Sequence, residues 1–186
     1  MMKLRMSFLT LLALGLSHGA ATAEDGATIF DTDNALLQRL TFEGSLDHDA
    51  TWSPDGAWIV YVSEGEKGKR LWKISTGGGE ARQLTFGEEE FLDWYPHWSP
   101  DGDRIAFTSN REGGTRVWTI PAAGGTPQKI TPQPLNIRVG QTSSATWSPD
   151  GRYIAYAARV DGNADIWHGS IKGSSLAWPF MGIKHC

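Results

Sequence analysis

Apolar residues in this chain come in short runs separated by turn-forming residues, and the runs recur in a fixed order. Ile59-Val60-Tyr61-Val62, Ile105-Ala106-Phe107 and Ile154-Ala155-Tyr156-Ala157 each follow a Trp-Ser-Pro-Asp-Gly phrase. Runs this short, rich in β-branched and aromatic residues and bounded by Pro, Asp and Gly, predict strands rather than helices. In Ser-Pro-Asp-Gly the proline presets φ, the aspartate can bond the backbone two residues on, and the glycine accepts a positive φ. A polar stretch follows each run, then a strand carrying an aliphatic residue and a tryptophan: Leu71-Trp72, Val117-Trp118 and Ile166-Trp167. Gly77-Gly78-Gly79 and Gly124-Gly125 predict the next turns. Arg82-Gln83-Leu84-Thr85 and Gln128-Lys129-Ile130-Thr131 predict closing strands. An extra copy of that last strand, Gln38-Arg39-Leu40-Thr41, precedes the first full set. Outside the N-terminal segment no stretch has a helical period.

The repeat is regular in phase. The first tryptophan falls at Trp52, Trp98 and Trp147, the second at Trp72, Trp118 and Trp167, with equal steps in the two series. Repeats of roughly 40–50 residues with four strands apiece are blades of a β-propeller. The fold expected is therefore all-β, a propeller of four-stranded antiparallel blades, with about three blades at 51–86, 97–131 and 146–167. The repeat motif residues Trp52, Pro54, Asp55, Gly56, Trp72, Trp98, Pro100, Asp101, Gly102, Trp118, Trp147, Pro149, Asp150, Gly151 and Trp167 read as structural. The tryptophans are expected to pack blade on blade. The end blades should expose faces meant for neighbours, with Trp52, Trp72, Trp147 and Trp167 at risk, so the chain is expected to self-associate.

The phrase Trp-Ser-Pro-Asp-Gly, the apolar strand, the Trp-bearing strand and the closing Leu-Thr together resemble the WD40-like Pro-Asp repeat of TolB-like β-propellers, over about residues 38–167. The resemblance implies a propeller of the bacterial periplasm or cell exterior. TolB itself binds a peptidoglycan-associated lipoprotein and other Tol-system partners. The same repeat forms the non-catalytic propeller of some secreted prolyl oligopeptidase-type peptidases and of some amidohydrolases. TolB has an additional α/β domain ahead of its propeller, for which residues 24–50 are too few. Its propeller also has six blades, so the chain is expected to be a TolB-like piece rather than TolB itself. Residues 168–186 read as a divergent tail.

Ahead of the repeats, Lys3 and Arg5 precede a mostly apolar Phe8–Leu16 and a small-residue Ala21-Thr22-Ala23. This is the layout of a signal peptide over residues 1–23, cleaved after Ala23. Residues 24–50 are then a lead-in holding one partial blade strand. Periplasmic or extracellular localisation follows, with no membrane span, because the apolar run is far short of the ~20 residues needed. The 186 residues carry a formal net charge of −4, which disfavours nucleic acid as a partner. The one cysteine, Cys186, leaves no disulfide and no cysteine-cluster metal site.

No catalytic motif is present. Gly173-Ser174-Ser175-Leu176-Ala177 lacks the second glycine of a nucleophile elbow. No metal or cofactor site is expected. Asp47-His48-Asp49, and Glu88-Glu89-Glu90 followed by Asp93, read chiefly as solvated loops; the sharper alternatives are a loosely held cation for the first, and part of a binding rim or a weak Ca²⁺ site for the second. Antiparallel alternation sends the Ser-Pro-Asp-Gly and Gly-Gly turns to one end of each blade and the long, divergent connections to the other. Binding surfaces tend to sit on loops held by a rigid scaffold. The candidate protein-binding loop face is therefore Phe91, Asp93, Trp94, Tyr95, Asn136 and Arg138, with the alternative that Trp94 and Tyr95 begin an inner strand and pack internally. The function expected is a non-catalytic protein-binding scaffold, or else the propeller of a peptidase or amidohydrolase whose catalytic domain lies elsewhere.

Overall fold

The computed structural model describes residues 21–22, 28–32, 35–41, 46–88, 90–131, 144–160 and 163–171. These form fourteen strands and no helix. The chain divides into two units, Met1–Phe42 and Glu43–Cys186. The first unit holds a three-stranded antiparallel sheet of β1 (Ala21–Thr22), β2 (Thr28–Thr32) and β3 (Ala35–Gln38). Only Gln38 of the expected Gln38–Thr41 strand is in β3, paired with Ile29. The signal-peptide reading otherwise falls outside the described residues.

The second unit holds three sheets in the predicted phase. The first blade is β4 (Leu46–Trp52), β5 (Trp58–Gly65), β6 (Gly68–Ser75) and β7 (Arg82–Gln83). The second is β8 (Asp93–Trp98), β9 (Arg104–Ser109), β10 (Arg116–Pro121) and β11 (Gln128–Lys129). The third has β12 (Thr146–Trp147), β13 (Tyr153–Val160) and β14 (Asn163–Ser170). Each sheet is antiparallel in sequence order, and neighbouring blades meet along their first strands, β4 on β8 and β8 on β12.

The Ser-Pro-Asp-Gly turns are built alike. Ser53 Oγ donates to Asp55 Oδ1 at 2.5 Å and accepts from Trp58 N at 2.9 Å, while Ala57 N donates to the same carboxylate at 3.0 Å. Ser99 with Asp101 and Ser148 with Asp150 repeat the pattern. Gly56, Gly102 and Gly151 have φ of 72°, 77° and 68°, which only glycine enters freely.

The fourth strands are shorter than expected, and the closing Leu-Thr explains why. After Gln83 the amides of Leu84 and Thr85 both turn to the Leu71 carbonyl, and Leu71 N donates to Thr85 Oγ1 at 2.9 Å. Val117 N does the same to Thr131 Oγ1 at 3.1 Å. A threonine hydroxyl thus replaces a ladder carbonyl at a fully buried position. Thr85→Val keeps shape but orphans a buried N–H, so urea denaturation should show a loss of about 1–3 kcal/mol.

The core lies between blades. Val60, Val62, Leu71 and Leu84 of the first blade pack on Ile105, Phe107, Trp118 and Ile120 of the second, with Trp98 alongside. Ala106, Val117 and Ile130 of the second pack with Ile154 of the third, with Trp147, Tyr156 and Trp167 alongside. Side chains alternate across a strand, so each blade offers a tryptophan face to the blade before it and a smaller aliphatic face to the blade after it. Trp98 Nε1 donates to the Thr51 carbonyl at 3.3 Å, and Trp147 Nε1 to the His97 carbonyl at 3.1 Å. Thr51 and His97 hold the same repeat position. Trp147 and Trp167, expected to be at risk on an open face, pack instead against the second blade, because their alternation points them backwards along the chain. Trp52 is 62% exposed.

Candidate functional site

Among the described residues two non-glycine residues have a left-handed backbone, Asp49 (φ 54°) and Tyr95 (φ 52°). They hold the same repeat position, and each lies where its inner strand shifts register, between His48 and Thr51 and between Trp94 and His97. A β-bulge re-aims side chains. Pro96 fits inside the second one, where the ladder is already interrupted. Left-handed backbone at a bulky tyrosine is uncommon and persists only where the surroundings hold it.

Both bulges lie at the middle of their strands. Around them polar groups of the first two blades meet Ser144, just ahead of β12. His97 Nε2 lies 2.8 Å from Ser144 Oγ. Burial pushes the His97 pKa down, and the nearby Asp49 carboxylate partly offsets this. His48 Nδ1 is 3.2 Å from Asp49 Oδ2, and its Nε2 is 3.3 Å from the Lys69 ammonium, which also pairs with Glu64 at 3.1 Å. The Lys69 ammonium therefore stands beside His48. Among the described residues no three His, Cys, Asp or Glu side chains are grouped to hold a metal.

The connection before β8 is fastened from beneath. Arg70 is 4% exposed, and its guanidinium donates to the carbonyls of Phe91 and, at 2.6 Å, Glu88. Gly87 is needed there, since a Cβ would lie 2.9 Å from the Phe91 ring. Leu92 N is held by Asn110 Oδ1 at 2.8 Å. Beside this clamp Asp93, 1% exposed, accepts from Arg111 Nη2 at 2.7 Å. The Arg111 guanidinium sits 5.2 Å from the ring centres of both Phe107 and Trp118.

The candidate residues accordingly separate. Asp93 and Trp94 are buried, 1% and 5% exposed, and are not surface anchors: one closes an ion pair with Arg111 and the other starts the inner strand. Phe91, in the connection before β8, and Tyr95, the third of the six residues of β8, are half-buried, and Glu88 and Glu90 in the same connection as Phe91 are exposed. Asn136 and Arg138 lie outside the described residues. Sequence reasoning missed Arg70 and Arg111. A signal for Arg70 was present, since Arg116 stands at the same repeat position and also grips loop carbonyls, those of Glu112 and Gly113.

At the opposite end the turn carboxylates give a pH signature. Hydrogen bonds from the turn serines are the first cause that lowers Asp55, Asp101 and Asp150, the last from 3.8 to about 2. A lowered folded-state pKa contributes stability that is complete above the unfolded value and lost as pH falls through the folded one. The urea midpoint should therefore hold above pH 4 and fall between about pH 4 and 2, less steeply in Asp150→Asn.

The model of the dipeptidyl peptidase IV N-terminal region matches residues 18–138. An uncharacterized protein, Atu1656, of Agrobacterium fabrum is 30% identical over 67 residues, 36% of this chain and 22% of that one. The crystal structure of TolB from Acinetobacter baumannii superposes with a TM-score of 0.60 at 22% identity, covering 84% of this chain and 41% of that one. A puromycin-hydrolyzing peptidase of Mycobacterium tuberculosis gives 0.55 at 15%, covering 80% and 26%. The chain thus spans less than half the length of each of these proteins. At such identities the structural matches speak for the fold, a TolB-like β-propeller. With the family model matched over most of the repeat region, the chain belongs to the family of the dipeptidyl peptidase IV N-terminal region.

Proposed function

We propose that this chain is an exported, non-catalytic propeller module of the periplasm or cell exterior that binds a protein or peptidoglycan-associated partner through the loop end of its blades. The observation that carries the reading is the investment in that end. Arg70 is buried to hold the Gly87–Phe91 backbone, and Tyr95 is kept left-handed at a bulge. Phe91 and Tyr95 are half-buried aromatics, and exposed Glu88 and Glu90 share the connection with Phe91, a chemistry suited to a protein interface. The likeness to TolB supports the reading. No helix among the described residues is long and apolar enough to cross a membrane.

A second reading, the propeller portion of a secreted peptidase or amidohydrolase, is favoured by the family itself. Affinity isolation from periplasmic extract with wild type and Tyr95→Ala, with the captured material assayed for Xaa-Pro p-nitroanilide hydrolysis, separates them. The binding reading expects a partner retained by wild type and lost with the variant, and no turnover in the captured material. Turnover in the captured material, or equal capture by both proteins, would overturn it.

A further inference from the structure

The two joints between blades differ at one repeat position. Thr51 and His97 each offer a carbonyl to the next blade's indole, Trp98 Nε1 at 3.3 Å and Trp147 Nε1 at 3.1 Å. The threonine side chain does not titrate. The histidine side chain does, and it also crosses its joint, with Nε2 2.8 Å from Ser144 Oγ just ahead of β12. Residue 97 thus carries two polar links from the second blade to the third. The strand it holds is slight: β12 has two residues and pairs with β13 at Thr146–Ala155 and Trp147–Ile154. The surroundings of the half-buried ring are poor in charge. β4 brings Asp49, which is engaged 3.2 Å from His48 Nδ1 and acts on His97 from a distance. Lys69 of β6 and Glu64 of β5 follow beyond His48. Ala106 of β9 stands opposite His97, and the third blade offers only the uncharged Ser144 hydroxyl.

We propose that His97 is an acid-sensitive latch between the second and third blades: neutral, it closes the joint on Ser144; charged, it lets β12 part from β8. The charge is half-buried while the joint is closed and regains water when it opens, so protonation favours opening. Burial holds the ring's pKa below the ordinary 6.5, with Asp49 offsetting part of the shift. The latch is therefore complete above 6.5 and is lost as pH falls through the lowered value, a window that begins ahead of the turn carboxylates. The opening is local, read by hydrogen exchange rather than by the urea midpoint. It rests on the blade joint and not on partner binding, so it stands or falls separately.

The test is hydrogen–deuterium exchange at about pH 7.5 and about pH 5.5, either side of the ordinary histidine value, corrected for the intrinsic rate. In wild type, acidification should lower the protection of β12 and β13 more than ~3-fold relative to β5 and β6 of the first blade. His97→Gln, uncharged and still able to bond Ser144, should abolish that difference. Asp49→Asn should enlarge it, since the offsetting charge is gone and asparagine tolerates the left-handed backbone. Far-ultraviolet circular dichroism at neutral pH checks that both variants fold; if one does not, the other and the wild-type contrast between blades still decide. Protection of β12 and β13 that does not change with pH would overturn the proposal. So would a fall shared equally by β5 and β6, or one that persists in His97→Gln.

Discussion

Phe107→Ala should destabilise the protein by about 3–5 kcal/mol, the largest loss expected from any single truncation in the described core. Phe107 is fully buried. It projects from the second strand of its blade into the aliphatic face of the blade before, among Val60, Val62, Leu71 and Leu84. Close-packed surroundings relax only partly around such a deletion, so the loss includes a cavity as well as lost transfer energy. The ring also lies under the Arg111 guanidinium, which would lose one of its two aromatic contacts. Chemical denaturation gives the number. Phe86→Ala is the control, because Phe86 is 68% exposed and its removal should change stability by less than about 0.5 kcal/mol. Equal effects at the two positions would contradict blade-on-blade packing.

Asp93→Ala should cost about as much, roughly 3–5 kcal/mol, for an electrostatic reason. Arg111 is 11% exposed and Asp93 1%, so removing the carboxylate leaves a guanidinium nearly out of water without its partner. Arg70, which feels the Asp93 charge, loses support as well. Replacing both partners relieves that penalty. The double variant Asp93→Ala/Arg111→Met should therefore recover part of the stability, where independent sites would simply add. Because Asp93 follows directly on the clamped loop, partner binding should weaken in the single variant even under conditions where it stays folded.

The blades were legible in the sequence because their signals are local and repeated. Ser-Pro-Asp-Gly dictates its own turn through bonds spanning at most five residues, and three copies at one phase remove the ambiguity of one. The direction of the tryptophan faces was less legible. Period-two alternation says that Ile166 and Trp167 point to opposite sides, but which side meets the preceding blade is a tertiary fact. Trp147 and Trp167 were accordingly expected on an open face and pack inside. The candidate site was legible only in outline. Phe91 lies in the connection before β8, whereas Tyr95 lies within the inner strand itself. Asp93 and Trp94, next to them in sequence, are buried by an ion pair and an inner strand that depend on Arg111, a residue of the β9–β10 loop. The Arg70 clamp likewise joins positions about twenty residues apart through backbone carbonyls, which carry no mark in the sequence.

Site-specific photo-crosslinking in the native host tests the central claim most directly. A photoreactive amino acid is placed at Phe91, at the loop end, and in a second strain at Pro100, in the turn at the opposite end. If the chain works by binding through its loop end, irradiation should join Phe91 to a discrete protein partner and leave Pro100 without one. A partner captured at Pro100 and absent at Phe91 would contradict the account.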